Sequence, residues 1–498
     1  MSEVCQIIPS QKGNAKICVK GYLMTKDKKR EDIYYWCCEK KKLMACTGRA
    51  TTILINEKHL LRKCSDHNHA PEAARVDVCT TLSHLKDQAR NTNDQPCQII
   101  QSCVTNMPST AHPYMPNRNA LRQQIKRVRR ENTPSQPQSL EDLTIPDSLR
   151  TTIGEELFLI KDSTINDEKL LLFCTKNNVQ RLSHARYLIM DGTFWTVPTI
   201  FRQLYTIHAP VGGDNFRVLP LAYALMSSKS ETLYIRLFQD LIDFCEDNGG
   251  QLNPYWIMTD FEQAAIKASK AEFPNVKNKA CFFHLSQSTW RKIQSSGLVN
   301  LYGTNEEFSL KIRQMLALAF IPSENIPAAF DELKATFPPE AEEVVQWFED
   351  NYVHGRIRRR NQRNGNIIRT DPLFPPKLWS VSELMDHGIP RTQNIVEAWH
   401  RRWSTLVGKP HVGVYTMIEE LQKEQQRVDL EIECINRGEP KPKQKKQIID
   451  REKRIMTVYK DISNRSVLEF LRGLAHNISM YTEKKNCYYT YLFGYHSP

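Results

Sequence analysis

Short apolar runs alternate with helical patterns through the middle of the chain. Five apolar runs have the length and composition of strands; they cover residues 186–191, 203–208, 217–226, 255–260 and 280–284. Residues 230–248 have apolar positions at helical spacing, begin with a serine and end before Gly249-Gly250, which predicts a helix between the third and fourth runs. A second helix is predicted over residues 261–272, between the fourth and fifth runs.

The predicted order is strand, strand, strand, helix, strand, helix, strand. This is the order of an RNase H-like fold, so we expect an α/β protein with a mixed sheet flanked by helices. Residues 285–390 contain no apolar run of comparable quality, and we expect them to be helical and rich in loops. A further helix is predicted from about Thr392 to Leu406.

The amino-terminal part of the chain follows a different pattern. Residues 33–38 and 51–55 are β-rich runs with short polar connections, which predicts a small β-rich module. Residues 75–130 have the pattern of short helices separated by prolines. Residues 132–139 are rich in Pro, Ser, Asn and Gln, as expected of a linker.

Composition narrows the classes of protein that the chain can belong to. Of its 498 residues, 40% are hydrophobic and 25% are charged, which is enough to bury a core and excludes a wholly disordered chain. No apolar run approaches the roughly 20 residues that cross a bilayer, and the start lacks a signal-peptide pattern, so we expect neither a membrane nor a secreted protein. The 14 cysteines are spread without the spacing of a disulfide scaffold, so a Cys/His cluster is expected to bind metal.

The net charge of +12 is concentrated in three segments, residues 121–130, 354–369 and 437–454. Any one of them alone is equally consistent with a solvated surface or a localisation signal. Three along one chain favour contact with a long polyanion such as DNA. The candidate phosphate-binding residues are Lys126, Arg127, Arg129, Arg130, Arg356, Arg358, Arg359, Arg360 and Arg363.

Two aspartates, Asp191 and Asp260, each end an apolar run of the predicted sheet. If the two strands are neighbours, both carboxylates emerge at the same edge, where a shared divalent cation relieves their repulsion. Two such cations suit in-line displacement at a phosphodiester. The alternative is that each aspartate only caps the element that follows it.

A third acid is expected on the helix that begins near residue 392. Asn394, Glu397, His400 and Arg401 fall on one face of it, because residues three and four apart are neighbours on a helix. Such a face is consistent with the edge of a metal site or with a surface salt-bridge network. Other acids, including Glu349, Asp350 and Glu383, are also available.

These residues resemble the motifs of the Mutator-like (MULE) DDE transposases. The matching segments are Asp191-Gly192-Thr193-Phe194, 259–265 (TDFEQAA), Cys281-Phe282-Phe283-His284 and 394–400 (NIVEAWH), which together cover about residues 186–410. The resemblance implies that Asp191, Asp260 and Glu397 are a DDE triad that holds two Mg²⁺ or Mn²⁺ ions. It also implies that the segment between the last two acids contains a helical insertion that shapes DNA-end binding.

Cys281 and His284 have two interpretations. Their spacing would allow the start of a zinc site, but no second ligand pair is close by in sequence, and packing at a strand end is as consistent. In the family they recur beside the catalytic site. We therefore predict that Cys281 and His284, like Asn394 and His400, lie near the site without being metal ligands.

Near the amino terminus, four residues have the spacing Cys-x7-Cys-x20-His-x-His: Cys38, Cys46, His67 and His69. Four nitrogen and sulfur ligands suit tetrahedral Zn²⁺, which would contribute folding energy to a small module. Together with Tyr34-Tyr35-Trp36 and Gly48-Arg49-Ala50, over about residues 10–70, they resemble a FLYWCH-type zinc finger. Cys37 and Cys64 are competing thiols. Lysines at 26–30 and 40–42 predict a DNA-facing rim, or a solvated surface on a protein-binding module.

The resemblance implies a nuclear DNA transposase that binds terminal inverted repeats of double-stranded DNA and acts by cut-and-paste, as a homodimer or higher oligomer. The alternative is a domesticated DNA-binding regulator without cleavage activity. The expected domains are 1–75, the FLYWCH-type finger; 76–150, a helical DNA-binding or dimerisation region and linker; 151–290, the first part of the RNase H-like core; 291–390, the helical insertion; 391–410, the third-acid helix; and 411–498, a basic helical region.

Overall fold

The structure is a computed structural model, and it describes residues 4–8, 16–92, 94–131, 136–213, 215–360, 367–443, 445–478 and 480. The chain divides into two compact units, residues 1–135 and residues 136–498. None of the described helices combines the length and apolarity that a membrane crossing requires.

The first unit contains a closed barrel of six antiparallel strands followed by three helices. The elements are β1 (Val4–Ile8), β2 (Lys16–Val19), β3 (Tyr22–Arg30), β4 (Ile33–Cys38), β5 (Arg49–Ile55), β6 (Lys58–Cys64), α1 (Ala73–Asn91), α2 (Pro96–Thr105) and α3 (Arg118–Glu131). The predicted β-rich module is therefore present. Its core is small, with Trp36 fully buried and its indole donating to the Thr52 hydroxyl at 2.8 Å.

The helices of this unit have a core of their own. Leu85 of α1, Ile99 of α2, and Leu121 and Ile125 of α3 are buried in one cluster. In α3 these apolar residues recur every three to four positions, so the opposite face, which carries Arg122, Lys126 and Arg127, is turned to solvent. The predicted short helices are present, although α1 is longer than expected.

The second unit is built on a mixed sheet with helices on both faces. Its strands are β7 (Leu159–Ile165), β8 (Glu168–Cys174), β9 (Tyr187–Thr193), β10 (Gln203–Val211), β11 (Arg217–Met226), β12 (Trp256–Thr259), β13 (Lys277–Ala280), β14 (Ile357–Arg360) and β15 (Ile367–Arg369). Its helices are α4 (Lys176–Ser183), α5 (Glu231–Asp247), α6 (Gln263–Glu272), α7 (Phe282–Ser295), α8 (Val299–Thr304), α9 (Glu306–Ala317), α10 (Ile326–Lys334), α11 (Glu342–Phe348), α12 (Pro376–Trp379), α13 (Ser382–Asp386), α14 (Asn394–Val407), α15 (Val414–Asn436), α16 (Lys446–Lys460) and α17 (Val467–Ala475).

The large sheet has the order β13-β12-β9-β10-β11-β8-β7. Strand β12 is parallel to both β9 and β13, and the remaining neighbours are antiparallel. Strand β9, which contains Asp191, and strand β12, which Asp260 follows, are therefore neighbours that run in the same direction. This is the arrangement that brings side chains from their carboxyl ends to one edge of a sheet.

Both faces of the central strands are buried, but in different clusters. Leu188 and Ile257 pack with α5 and α6, whereas Ile189 and Met258 pack with helices of the segment after β13. Because successive side chains of a strand alternate between faces, Asp191 lies on the face of Ile189. That is the face against which α7 packs.

Three features of this unit differ from the sequence expectations. Strands β7 and β8 extend the sheet beyond the predicted strands. The fifth strand was predicted over residues 280–284, but β13 covers Lys277–Ala280 and ends where the predicted run begins. Cys281 is already the N-cap of α7. The expected helical segment contains helices α7–α13, but its arginine-rich part is a two-stranded hairpin, β14 and β15.

Candidate active site and zinc site

The three acids expected to form a triad line the wall of one cavity of about 270 Å³. Asp191 lies in β9, Asp260 directly follows β12, and Glu397 is in the first turn of α14. The cavity is lined by Asp191, Gly192, Phe194, Asp260, Phe261, Glu262, Phe283, His284, Gln287, Ser288, Arg291, Glu397 and His400. The fold thus brings together residues from three distant parts of the sequence.

Burial and mutual repulsion disfavour the charged forms of these acids. Burial, and then the charges of Asp260 and Glu397, raise the pKa of Asp191 well above its usual value. Burial also raises the pKa of Asp260, and it raises the pKa of Glu397 to about 7. A cation that binds between these carboxylates would offset their repulsion and favour their charged forms.

Local backbone contacts fix one oxygen of each aspartate. The amide of Gly192 donates to Oδ1 of Asp191 at 2.9 Å, and the amide of Glu262 donates to Oδ1 of Asp260 at 3.1 Å. The other oxygen of Asp191 lies 3.7 Å from Nδ1 of His400. Each aspartate is therefore held in a defined orientation at the cavity.

The donor set fits a hard divalent cation. Oε1 of Glu397 and Nε2 of His400 are buried and have no hydrogen-bond partner among the described residues. Carboxylate oxygens are the ligands that Mg²⁺ and Mn²⁺ prefer. The ligand atoms of the three acids nevertheless do not all lie within 4.8 Å of one another. Among the described residues, one cluster meets this condition, and it is the Cys/His cluster described below.

A polar network beside the acids was not predicted. Lys229 donates to Oε2 of Glu262 at 2.6 Å, and Tyr234 donates to the other oxygen at 2.9 Å. The Lys229 ammonium also lies 4.3 Å from the centre of the Phe194 ring. The charge of Lys229 opposes the rise in the pKa of Asp191 and Asp260. The one signal in the sequence was the position of Glu262, two residues after Asp260.

The residues predicted to lie near the site separate into two groups. His284 and His400 line the cavity; burial lowers the pKa of His284 to about 4 and that of His400 to about 3. Both imidazoles are therefore neutral at neutral pH. Cys281 is fully buried behind the cavity wall, and Asn394 is exposed and outside the lining.

The other acids considered from the sequence lie elsewhere. Glu349 is buried in ion pairs with Lys334 and Arg369, and Glu383 pairs with Lys277 and Lys279. Asp350 accepts a hydrogen bond from Gln346 at 2.8 Å. None of these three acids lines the cavity. Of the candidates for the third acid that the sequence offered, Glu397 on α14 is therefore the one at the cavity.

In the first unit, the ligand atoms of Cys38, Cys46, His67 and His69 all lie within 4.8 Å of one another. Sγ of Cys38 is 3.2 Å from Nε2 of His69, and Sγ of Cys46 is 3.4 Å from Nδ1 of His67. This is a set of two thiols and two imidazoles, which suits structural Zn²⁺. The competing thiols Cys37 and Cys64 are outside it.

Neighbouring residues shape this cluster. Burial raises the pKa of Cys38. At Cys46 burial also acts to raise the pKa, but hydrogen bonds from the backbone of Gly48 and Asn68 outweigh it, so the pKa of this thiol is lowered. A Cβ atom on Gly48 would lie 2.5 Å from Cε1 of His67, so only glycine leaves room for this imidazole.

Comparison with known families finds two domains that match parts of the chain. Residues 187–288 match the model of the MULE transposase domain, and residues 7–69 match that of the FLYWCH zinc finger domain. The chain joins a FLYWCH zinc finger to a MULE transposase domain. The FLYWCH match contains all four candidate zinc ligands. The MULE match contains Asp191, Asp260, Cys281 and His284 and ends before Glu397. A search of curated proteins found no match.

The basic residues outside these domain matches are placed differently from one another. Lys126 and Arg127 are exposed on α3, whereas the Arg129 guanidinium donates to the backbone carbonyls of Ala89, Thr92 and Asp94. For Arg129 the geometry thus favours a structural role over the predicted DNA contact. Arg130 belongs to α3.

The hairpin between helices α11 and α12 carries the remaining basic residues. Arg358 and Arg359 are exposed on β14, Arg356 is exposed just before it, and Arg360 is its last residue. Arg363 lies outside the described residues. The base of the hairpin is anchored because Arg369 donates to the Gly355 carbonyl at 2.8 Å and to Glu349 at 2.7 Å.

Proposed function

We propose that this protein is a DNA transposase of the Mutator-like class that cuts and rejoins DNA strands by DDE chemistry. The observation that carries the proposal is the convergence of Asp191, Asp260 and Glu397 on one cavity within and beside a MULE domain. The strand order and directions around β9 and β12 support the RNase H-like assignment of the sheet.

The chemistry follows from what the cavity residues can hold. Asp191, Asp260 and Glu397 would bind two Mg²⁺ or Mn²⁺ ions, which when bound activate water or a 3′-hydroxyl and stabilise the leaving oxygen. Lys229 and Arg291 would offer positive charge to the phosphodiester that enters. Because the pKa values of His400 and His284 are about 3 and about 4, both side chains would add no positive charge at neutral pH, and they are too weakly basic to hold a proton there. Their role would be to orient a phosphate through hydrogen bonds.

DNA binding is proposed for three basic surfaces: the FLYWCH barrel, the exposed face of α3, and hairpin β14–β15. Together they would hold terminal inverted repeats and target DNA. Bringing two transposon ends together would need at least a homodimer, and the substrate would place the protein in the nucleus. The exposed arginines of the hairpin are the most direct phosphate contacts to test.

The nuclease proposal is tested with the full chain, Mg²⁺ or Mn²⁺, and a plasmid carrying DNA that flanks the coding sequence. We expect nicking by the wild type, and its loss in Asp191→Asn, Asp260→Asn and Glu397→Gln with DNA binding retained. Asp243→Asn, an exposed acid on α5, is the matched control and should nick normally. Nicking by all three site variants would overturn the assignment, and wild-type binding without nicking would favour the regulator.

The DNA-binding proposal predicts a salt effect. Replacing Arg356, Arg358 and Arg359 with alanine should weaken binding to any DNA sequence. It should also reduce the slope of log affinity against log salt by about 0.9 for each phosphate that the protein no longer neutralises. Arg236→Ala is the control, because this arginine on α5 forms an ion pair with Asp240 away from the hairpin. An unchanged slope in the triple variant would exclude the hairpin as a DNA-binding surface.

A further inference from the structure

Gln393 is the last residue before α14 and is fully buried. Its side-chain nitrogen donates to two backbone carbonyls, that of Met190 at 3.1 Å and that of Met258 at 3.4 Å. Met190 directly precedes Asp191, and Met258 precedes Asp260 by two residues. One amide therefore joins the start of the Glu397 helix to both strands that carry the aspartates.

The position of this amide along the sheet is specific. The last backbone pair between the parallel strands β12 and β9 is Met258 with Ile189. Beyond this pair, where the aspartates stand, the two strands no longer pair with each other. The side-chain amide of Gln393 lies where the backbone pairing of β9 and β12 ends. It therefore joins the two strands by hydrogen bonds at a point where their backbones no longer pair.

The backbone of the same segment is tied to α7. The backbone N–H of Gln393 donates to Sγ of Cys281 at 3.3 Å, and the backbone N–H of Phe282 donates to the carbonyl of Arg391 at 3.2 Å. The Gln393 carbonyl in turn accepts from the Glu397 amide at 2.9 Å. The buried thiol at the start of the Cys-x-x-His motif is thus connected, through one residue, to the third acid.

We propose that Gln393 and Cys281 are positioning residues that set the separation of Glu397 from Asp191 and Asp260. They act through hydrogen bonds and touch neither substrate nor cation. Residues that orient metal-binding groups typically change metal affinity 10- to 100-fold when they are replaced. The inference deepens the proposed function, because it explains how acids from three segments are held in register for cations.

A matched control is available in the same unit. Gln422 on α15 also uses its side-chain nitrogen to bridge two carbonyls, those of Ser148 at 2.8 Å and Thr151 at 2.7 Å. It lies outside the cavity lining. Gln393→Met and Gln422→Met therefore remove the same kind of bridge, one at the acids and one away from them.

The first measurement is Mn²⁺ binding to the zinc-loaded full chain by titration calorimetry. We expect Gln393→Met to weaken Mn²⁺ binding at least about tenfold, and Gln422→Met to leave it unchanged while lowering the melting temperature to a similar extent. Equal Mn²⁺ affinity in the two variants would overturn the positioning role. Mn²⁺ binding that Asp191→Asn does not alter would instead contradict the proposed function.

The second measurement needs no metal. Hydrogen exchange of the full chain should show faster exchange at the Glu397 amide, which donates to the Gln393 carbonyl, in Gln393→Met and not in Gln422→Met. Because Gln393→Met removes two hydrogen bonds and could prevent folding, Cys281→Ala and Cys281→Ser form a milder pair. Serine keeps an acceptor for the Gln393 amide, so it should retain Mn²⁺ affinity that alanine loses. Unchanged exchange in Gln393→Met, or equal Mn²⁺ affinity in the Cys281 pair, would reject the inference.

Discussion

The FLYWCH cluster and the carboxylate cavity are both suited to metal, but the chain builds them in opposite ways. The zinc ligands come from residues 38–69, and their atoms already lie within 4.8 Å of one another. The acids come from residues 191–397, line one cavity, and are not drawn together to that distance. The first site is a closed set of soft ligands, and the second is an open set of hard ones.

The surrounding cores account for this difference. The barrel buries few apolar side chains, and Cys38 and Cys46 are themselves part of its core. The sheet of the second unit has large apolar clusters on both faces, and its three acids belong to neither cluster. Zinc is therefore expected to be part of the fold in the barrel, whereas a cation in the cavity would relieve a repulsion that the fold has already created.

The strongest test of this contrast is removal of zinc. A chelator should unfold the barrel, because structural zinc contributes on the order of 10 kcal/mol to the folding of such modules. Hydrogen exchange of the full chain should show loss of protection in residues 16–64 and none in residues 187–226. Cys46→Ser should behave like the chelated protein.

Cys64→Ser is the matched control for that experiment, since this thiol lies outside the ligand set. It should keep both the zinc and the barrel. Retention of zinc and of barrel protection by Cys46→Ser would show that the ligand set is wrong, and with it the contrast between the two sites.

For the carboxylate cavity, we expect the metal-free protein to lose stability as its acids become charged. The pKa of Glu397 is about 7 in the folded state against 4.5 for the ordinary group, so the native state binds this proton more tightly than the unfolded state. Stability from this group is therefore greatest below pH 4.5 and falls as the pH rises to about 7. The loss is roughly 3 kcal/mol by the linkage relation.

Denaturant unfolding of the second unit between pH 4.5 and 8 measures this effect. Glu397→Gln should flatten the profile, and saturating Mg²⁺ should raise the stability of the wild type at pH 8. Glu340→Gln, which replaces an exposed acid outside the cavity, is the control and should keep the wild-type profile. A profile of wild-type steepness in Glu397→Gln would mean that this carboxyl is not strained.

The same contrast explains how far the sequence alone can lead. The zinc cluster could be predicted because its four ligands lie within one small module and match the FLYWCH pattern, although Cys37 and Cys64 were competing thiols. The order of β9–β13 followed from the apolar runs and the helical patterns between them. The neighbouring positions of the strands of Asp191 and Asp260 were only a condition of the prediction, which the sheet topology meets.

What could not be predicted depends on long-range packing. Strand β7 has the sequence LIKDSTI, with no clear apolar run, and becomes a strand by pairing with β8. In the sequence, Lys229 and Gln393 are polar residues that precede helices, and Tyr234 is one of the residues of α5. Only the fold places their polar atoms beside the acids. The hairpin that carries Arg358 was also not predicted in the segment expected to be helical and rich in loops, although its pairing is local.

A smaller effect tests the charge balance of the cavity. Lys229→Met removes the partner of Glu262, which is mostly buried, and should destabilise the metal-free second unit by about 2 kcal/mol. Adding Glu262→Gln should recover much of that loss, because the unpaired charge is then gone. Thermal unfolding of the two single variants and the double variant gives the coupling. Additive effects would mean that the pair contributes nothing of its own.

The smallest effect returns to the zinc cluster and concerns Tyr22. Its ring stacks on His67 with 3.8 Å between centroids, and its hydroxyl donates to the carbonyl of His69 at 3.0 Å. Tyr22→Phe should weaken zinc binding a few-fold, and Tyr22→Ala roughly tenfold, as competition with a chromophoric chelator would measure. Tyr35→Ala, a barrel tyrosine outside the cluster, should bind zinc normally. Wild-type affinity in Tyr22→Ala would mean that the barrel sets its ligands without this support. In that case the carboxylate cavity, whose three segments Gln393 joins, would depend more on supporting residues than the zinc cluster does.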